Sequence, residues 1–94
     1  MTKKITKLNY KKYTIMTFSK VAEIISSTVN CPQQDIVMDA RLEDLGLDSL
    51  KAITVLYDLE EEYDIEIPNE LIESMHTVAD IVTEIDVLRR AKAA

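Results

Sequence analysis

Ser49 stands where a hydroxyl could hold a covalently attached phosphate. It follows Asp48 and the chain-breaking Gly46, and the pattern from Leu50 onward is helical, so Ser49 falls at the N-cap or in the first turn of a helix. Unpaired backbone N–H groups at a helix start favour a negative charge. The hydroxyl therefore either caps the helix or serves as the attachment point of a phosphate group.

The helix that begins here, predicted over residues 49–63, carries apolar residues on two separate faces. At about 100° per residue, five residues share one arc and form the predicted core stripe: Ala52, Val55, Leu56, Leu59 and Tyr63. Leu50, Ile53 and Tyr57 lie outside this arc, alongside Ser49, and are called the outer strip below. Because one stripe is enough to hold a helix on a core, the outer strip predicts a docking surface.

The segment DLGLDSLKAITVLYDLEEEYDIEIP resembles the prosthetic-group region of the acyl carrier proteins. In that family the serine of an Asp-Ser-Leu motif bears 4'-phosphopantetheine, and the matching residues here are Asp48, Ser49 and Leu50. The similarity covers roughly residues 17–90, and it continues through Leu59–Tyr63, Ile65–Pro68 and Thr77–Asp80.

The resemblance implies a carrier and not an enzyme. A phosphopantetheinyl transferase would attach 4'-phosphopantetheine, derived from coenzyme A, to Ser49, and the thiol of that arm would hold acyl groups as thioesters. Asp48 would be read by the transferase and by acyl-transferring or condensing enzymes with basic docking surfaces. The partner-binding residues expected from the sequence are Leu50, Lys51, Ile53, Tyr57, Glu60 and Glu61.

The start of this helix departs from the carriers of housekeeping fatty-acid synthesis. Lys51 follows the Asp-Ser-Leu motif, and residues 52–54 bring no acid. This favours a specialised fatty-acid, lipid or polyketide pathway. Two alternatives stay open: a peptidyl carrier domain, and an acidic helical interaction module that carries nothing and binds a partner through the outer strip.

Length and composition favour one all-α domain. The chain has 94 residues, 47% of them hydrophobic, with one Gly and two Pro. Helical periodicity and capping residues predict a four-helix bundle with one short helix, over residues 18–30, 49–63, 70–74 and 78–90. Residues 31–47 form a long connection, expected to be ordered by its apolar residues, with a helical turn near 42–45.

Local signals define the ends of the other helices. Candidate N-terminal caps are Thr17 or Ser19 for the first helix, Asn69 for the third, and Thr77 with Asp80 as an acidic capping box for the last. Asn30 and Pro32 are expected to end the first helix. Its predicted core residues are Phe18, Val21, Ile24, Ile25 and Val29.

Residues 1–16 differ from the rest of the chain because they contain five lysines and no acid. We interpret them as a basic, disordered N-terminal extension that the domain, residues 17–94, does not need for folding. Residues 17–94 contain six basic and seventeen acidic residues, a formal charge of −11. That charge argues against nucleic acid and for basic protein surfaces as partners.

Other sequence features indicate a cytoplasmic monomer. No apolar run is long enough for a membrane helix, which predicts no membrane insertion, and no secretory signal is visible. Cys31 is the lone cysteine, so it cannot form an intramolecular disulfide, and a reducing cytoplasm is compatible with the chain.

Several catalytic and metal-binding patterns are excluded by spacing. His76 is the single histidine and no nucleophile elbow is present, so a Ser/His/Asp triad is disfavoured. Cys31 and His76 lack the spacing of metal ligands. An EF-hand aligned on Gly46 would put Arg41 and Leu45 at positions that require oxygen ligands.

The charge of residues 17–94 predicts stabilisation by salt. Self-repulsion weakens the compact state, and screening over a Debye length of about 8–10 Å relieves it. The melting temperature should therefore rise between low and moderate NaCl concentration, as measured by circular dichroism. A melting temperature that stays flat or falls would contradict this prediction.

Overall fold

Four α-helices make up most of residues 2–93, the part of the chain whose backbone the computed structural model describes; side chains are described for residues 14–92. The helices are α1 (Thr2–Val29), α2 (Ser49–Tyr63), α3 (Asn69–Ile72) and α4 (Val78–Ala93), with a 3-10 turn at Gln33–Asp35. Within residues 2–93 no extended strand is formed beyond one isolated bridge between Arg41 and Thr77. The all-α prediction, with one short helix and a long first connection, is confirmed.

The core is formed by α1, α2 and α4, because each contributes one apolar stripe to a single buried cluster. Its fully buried side chains, with relative exposures of 0–2%, include Val21, Ile25, Val55, Leu59, Val78, Ile81, Val82 and Ile85. Of the predicted stripes, Phe18, Ile24, Val29 and Tyr63 are half-buried at the margin of this core. Helical periodicity therefore identified the packed faces correctly.

Helix α1 begins at Thr2, sixteen residues before its predicted start. Residues 2–17 contain no Gly or Pro that would stop a helix. Thr17 was a candidate cap, yet it is a buried residue within the helix whose hydroxyl donates to Asp86 Oδ1 at 2.6 Å. Thr14 donates to Asp86 Oδ2 at 2.9 Å, so the packed body reaches back at least to residue 14. The side chains of residues 1–13 lie outside the described part, and a dispensable extension there stays a prediction.

Helices α1 and α2 both end in the same way, with a residue in the left-handed conformation directly after the last helical turn. Asn30, after α1, and Asp64, after α2, adopt left-handed backbone conformations with φ of 57° and 52°. The N–H groups of Cys31 and Ile65 then donate to carbonyls within the preceding helices, Ser26 at 3.3 Å and Glu60 at 3.1 Å. These bonds satisfy carbonyl oxygens that a helix end leaves without an intrahelical donor.

The two shorter connections differ in how well they were predicted. Pro68, and not Asn69, is the N-cap of α3, and it makes no side-chain capping bond. Thr77 and Asp80 form the predicted box: the Asp80 N–H donates to Thr77 Oγ1 at 3.2 Å, and Asp80 Oδ2 accepts from the backbone N–H groups of His76 and Thr77 at 2.8 and 3.1 Å. The His76 N–H makes the largest contribution to lowering the pKa of Asp80.

Residues 31–47 are ordered because they bury apolar side chains and pair with the start of α4. Ile36, Leu42 and Leu47 are buried. The N–H of Leu42 donates to the carbonyl of His76 at 2.9 Å, and the N–H of Val78 donates to that of Ala40 at 3.0 Å. The predicted helical turn is present as successive turns over residues 41–46. The connection is therefore fixed at the end of the bundle where α4 begins.

Two further interactions join the helices. Arg89 of α4 lies over the ring of Tyr63 of α2, with its guanidinium carbon 4.0 Å from the ring centroid. Burial raises the pKa of Tyr63. Lys20 of α1 pairs with Glu62 of α2 at 3.9 Å.

Among the helices of the described chain, none is both long and apolar enough to cross a membrane.

The two faces of α2 predict opposite responses to truncation. Leu59 is fully buried, so Leu59→Ala should lower the free energy of unfolding by about 2–5 kcal/mol. Tyr57 is 64% exposed, and Tyr57→Ala should change it by about 0.5 kcal/mol or less. Urea denaturation of both variants measures the difference. Equal losses would show that the outer strip belongs to the core.

Candidate functional site

The turns before α2 place Ser49 at the surface. Two N–H groups, those of Asp44 and Leu45, donate to the Arg41 carbonyl at 3.0 and 3.2 Å, and Leu47 N–H donates to the Leu42 carbonyl at 3.0 Å. Gly46 adopts a φ of +89°, which strains any residue with a side chain, although a Cβ there would meet no atom within 4 Å. The glycine is therefore required for its backbone conformation and not for space.

Asp48, and not Ser49, caps α2. Its backbone is extended, and its Oδ1 accepts from the Lys51 N–H at 2.9 Å. Ser49 is the first helical residue and is exposed. Within the described part of the chain the Ser49 hydroxyl takes part in no hydrogen bond. The sequence left two roles open for the Ser49 hydroxyl, capping the helix or holding a phosphate. Asp48 performs the capping.

A groove of about 340 Å³ opens beside Ser49. This volume is within the roughly 300–1,000 Å³ typical of small-molecule sites. The groove is bounded by the turns before α2, the first turns of α2, and the segment from α3 to α4: Arg41, Leu42, Glu43, Leu47, Asp48, Ser49, Ala52, Ile53, Ile72, Glu73, Met75 and His76. Leu42, Leu47 and Met75 are buried, so the groove combines an apolar floor with a charged rim.

The outer strip is exposed along its whole length. Leu50, Ile53 and Tyr57 have relative exposures of 74%, 46% and 64%, so they are among the most exposed large apolar side chains of the described residues. Lys51 is also exposed, and no ion pair joins it to another residue with a described side chain. The structure thus brings the strip, Lys51 and Ser49 together on the solvent side of one helix.

The two predicted partner-binding glutamates differ. Glu61 is exposed, whereas Glu60 is half-buried and its Oε2 accepts from the Ile67 N–H at 2.7 Å. The sequence did not predict this internal bond. Nor did it predict that Ile72 and Met75 line the groove, because both belong to a short segment with no clear periodicity.

His76 and Cys31, which the sequence analysis considered for a triad or a metal site, lie in different surroundings. His76 lines the groove rim, but its backbone serves the α4 capping box. Cys31 is a half-buried free thiol that packs against the core. In the described residues no group of three His, Cys, Asp or Glu side chains is arranged to hold a metal ion.

Comparison with known sequences identifies related proteins. A family model described as "Phosphopantetheine attachment site" matches residues 19–85. An acyl carrier protein of Clostridium acetobutylicum is 39% identical over 71 residues, which cover 74% of this chain and 92% of the relative. An acyl carrier protein of Syntrophobacter fumaroxidans is 40% identical over 76 residues, 80% of this chain and 90% of the relative.

Solved structures show the same fold. A crystal structure of an acyl carrier protein from Thermotoga maritima gives a TM-score of 0.74 at 21% identity, covering 87% of this chain and 95% of its own. Solution structures of a hexanoyl acyl carrier protein from the actinorhodin polyketide synthase of Streptomyces coelicolor give 0.67 at 22% identity, covering 79% and 90%. At these identities the likeness supports the fold alone.

The helical bundle and the matching family model together define a carrier domain with a phosphopantetheine attachment site. The chain belongs to the acyl carrier proteins, which carry acyl groups and are not enzymes. The family's cofactor is 4'-phosphopantetheine, and its partners in general are a phosphopantetheinyl transferase and acyl-handling enzymes.

The capping bond of Asp48 predicts a difference between two substitutions. Asp48→Ala removes the acceptor for the Lys51 N–H and should lower the free energy of unfolding by about 0.5–2 kcal/mol. Asp48→Asn keeps a side-chain oxygen at the same place and should unfold close to the parent. Urea denaturation of the three proteins tests this, and an unchanged Asp48→Ala variant would mean that the cap contributes nothing.

Proposed function

We propose that Ser49 is the residue to which 4'-phosphopantetheine is attached, and that the chain carries acyl groups on that arm. The observation that carries this proposal is that Asp48 and Ser49 have different roles at the start of α2. Asp48 performs the capping, which leaves the exposed Ser49 hydroxyl without a structural task in the described chain. The terminal thiol of the bound group supplies the chemistry, since it holds acyl groups as thioesters.

The start of α2 suits a phosphodiester on Ser49. The Lys51 N–H is taken by Asp48 Oδ1, and the Ala52 N–H donates to the Asp48 carbonyl at 2.9 Å. The N–H groups of Ser49 and Leu50 are then the helix-start donors that no described acceptor uses. They stabilise an anion placed on the Ser49 side chain, as helix N-termini do in general. In the transfer, the Ser49 oxygen would form a bond to the phosphorus of the pantetheine phosphate, the pyrophosphate bond of coenzyme A would break, and adenosine 3',5'-bisphosphate would leave while the transferase takes up the hydroxyl proton.

The groove beside Ser49 is the proposed resting place for the first part of a bound acyl group. Its apolar floor can shield carbon chain from water, and its rim keeps the opening hydrated. The groove and the attachment point share the first turn of α2. An arm fixed on Ser49 therefore needs no rearrangement of that helix to bring its cargo to the opening.

The outer strip, with Asp48, Lys51 and Glu61, is the proposed docking face. Its three apolar residues extend along α2 from beside Ser49 and supply the desolvated centre of an interface. The surrounding acids attract basic groups on a transferase or an acyl-handling enzyme. Partners that recognise this face reach Ser49 at the same time.

We further propose that the carrier serves a specialised fatty-acid, lipid or polyketide pathway in the cytoplasm. What supports this is Lys51, an exposed cation two residues after the proposed attachment point, in a part of α2 that bears no acid before Asp58. A cation there discriminates between partners by charge. A peptidyl carrier would share the same site, and acyl-loading assays separate the two.

Attachment at Ser49 is tested by mass spectrometry. The apo protein, incubated with coenzyme A and a promiscuous phosphopantetheinyl transferase, should gain the mass of one phosphopantetheine group on the peptide that contains Ser49. Ser49→Ala removes the hydroxyl and should stay unmodified while melting like the parent. An unmodified parent, under conditions that convert a control carrier, would favour the interaction module.

The docking face is tested by transferase kinetics. Tyr57→Ala should lower kcat/KM for loading by an amount equivalent to about 1–2 kcal/mol, because an interface aromatic is lost while the fold is kept. Lys51→Glu should also leave the melting temperature unchanged and alter the ratio of kcat/KM values between two transferases. Loading rates equal to the parent for both variants would remove the outer strip and Lys51 from the interface.

A further inference from the structure

Glu60 makes hydrogen bonds to most of the connection that follows α2. Its backbone carbonyl accepts from the Asp64 N–H and from the Ile65 N–H, the latter at 3.1 Å. Its side-chain Oε2 accepts from the Ile67 N–H at 2.7 Å. One residue in the last turn of α2 therefore holds residues 64–67 in place through both its backbone and its side chain.

The bond to Ile67 is not easily replaced by water. Ile67 is 6% exposed and its side chain belongs to the core. A buried N–H that loses its acceptor destabilises the conformation that buries it. The carboxylate thus fixes the backbone at the last residue before Pro68 and α3.

Helix α3 is too short to be stable by itself, so its position depends on how the residues next to it are fixed. It has four residues, its N-cap Pro68 makes no side-chain capping bond, and isolated single turns are unstable. The non-helical backbone hydrogen bonds described for residues 68–75 run within the segment, for example from Met75 N–H to the Ile72 carbonyl at 3.2 Å. Its position is set by apolar packing and by the anchors on either side, Ile67 and His76.

The last residue of α3, Ile72, lines the groove beside Ser49. The chain of contacts therefore runs from Glu60 to Ile67, through Pro68 to α3, and ends at one wall of the groove. We propose that Glu60 is a positioning residue: its carboxylate holds α3 so that the groove beside Ser49 keeps the width that a bound acyl chain needs. This inference rests on the proposed function of Ser49. It gives Glu60, which the sequence analysis expected to bind partners, the role of holding the wall of the groove.

The neighbouring acids provide the contrast. Glu61 is exposed and has no described partner, and Glu62 pairs with Lys20 of α1 at 3.9 Å. Neither reaches the segment before α3. Among the three consecutive glutamates, only the side chain of Glu60 accepts a described backbone hydrogen bond, which makes Glu61 a matched control.

The first test uses the unloaded protein. Amide hydrogen exchange at Ile67 is compared for the parent, Glu60→Ala, Glu60→Gln and Glu61→Ala. Loss of the acceptor should speed exchange in Glu60→Ala on the order of tenfold. Glu60→Gln retains an acceptor oxygen and should restore the parent rate, as should Glu61→Ala. Should Glu60→Ala fail to fold, Glu60→Asp, which keeps the charge but withdraws the acceptor, replaces it.

The second test measures the groove itself. Each variant is loaded with an octanoyl group by a promiscuous transferase and octanoyl coenzyme A, and cleavage of the thioester by hydroxylamine is timed. The parent, Glu60→Gln and Glu61→Ala should resist cleavage relative to octanoyl-pantetheine, and Glu60→Ala should lose most of that protection. Loading should proceed at the parent rate in Glu60→Ala and Glu60→Gln. Glu61 belongs to the proposed docking face, so Glu61→Ala is loaded to completion before cleavage is timed, and its loading rate is not compared.

The outcomes separate the two proposals. If Ser49 takes no pantetheine, the proposed function fails, and exchange at Ile67 still decides whether Glu60 anchors this segment. Suppose that all variants load while Glu60→Ala matches Glu61→Ala both in the exchange rate of the Ile67 amide and in the protection of the octanoyl thioester. In that case the positioning role is wrong while the carrier function stands. A parent that gives no protection overturns the positioning role as well, since the groove then holds no chain.

Discussion

The burial of one stripe of α2 is the constraint on which the surface of this carrier depends. Val55 and Leu59 are fully inaccessible to solvent, and Leu56 is nearly so. Because they lie on one side of the helix, their burial in the core shared with α1 and α4 fixes the rotation of α2 about its axis. Any appreciable roll would expose these residues. The same packing therefore holds Ser49 and the outer strip toward solvent.

The second constraint is the path of the chain into α2. The turns over residues 41–46 are fastened by buried Leu42 and Leu47 and by pairing with the start of α4. Gly46, in the left-handed conformation, changes the direction of the backbone, and the side-chain carboxylate of Asp48 caps the start of the helix. As a result Ser49 occupies a fixed place on a rigid element, as the proposed attachment point requires.

The acidic side chains perform different tasks although they share a charge. Asp86 accepts bonds from Thr14 and Thr17 within the bundle, Asp80 belongs to the α4 capping box, and Glu60 holds the connection to α3. Such residues contribute to the net charge but are engaged inside the domain. The acids available to a basic partner are therefore fewer than the formal charge of −11 for residues 17–94 suggests.

Most of the architecture was determined by the sequence alone, because helix periods, caps and breakers act over a few residues. The bounds of α2, the capping box of Thr77 and Asp80, and the separation of core stripe from outer strip are all local properties of the chain. The start of α1 was not found, since no Gly or Pro before Thr17 interrupts the helix and Thr17 itself, a candidate cap, binds Asp86, 69 residues away. The choice between Asp48 and Ser49 as the cap is also local, but both residue types cap helices well and only the structure distinguishes them. By contrast, only the folded chain decides that Glu60 reaches Ile67 and that Ile72 forms a wall beside Ser49. These depend on how separate segments meet in space, and side-chain spacing along the chain carries no record of that.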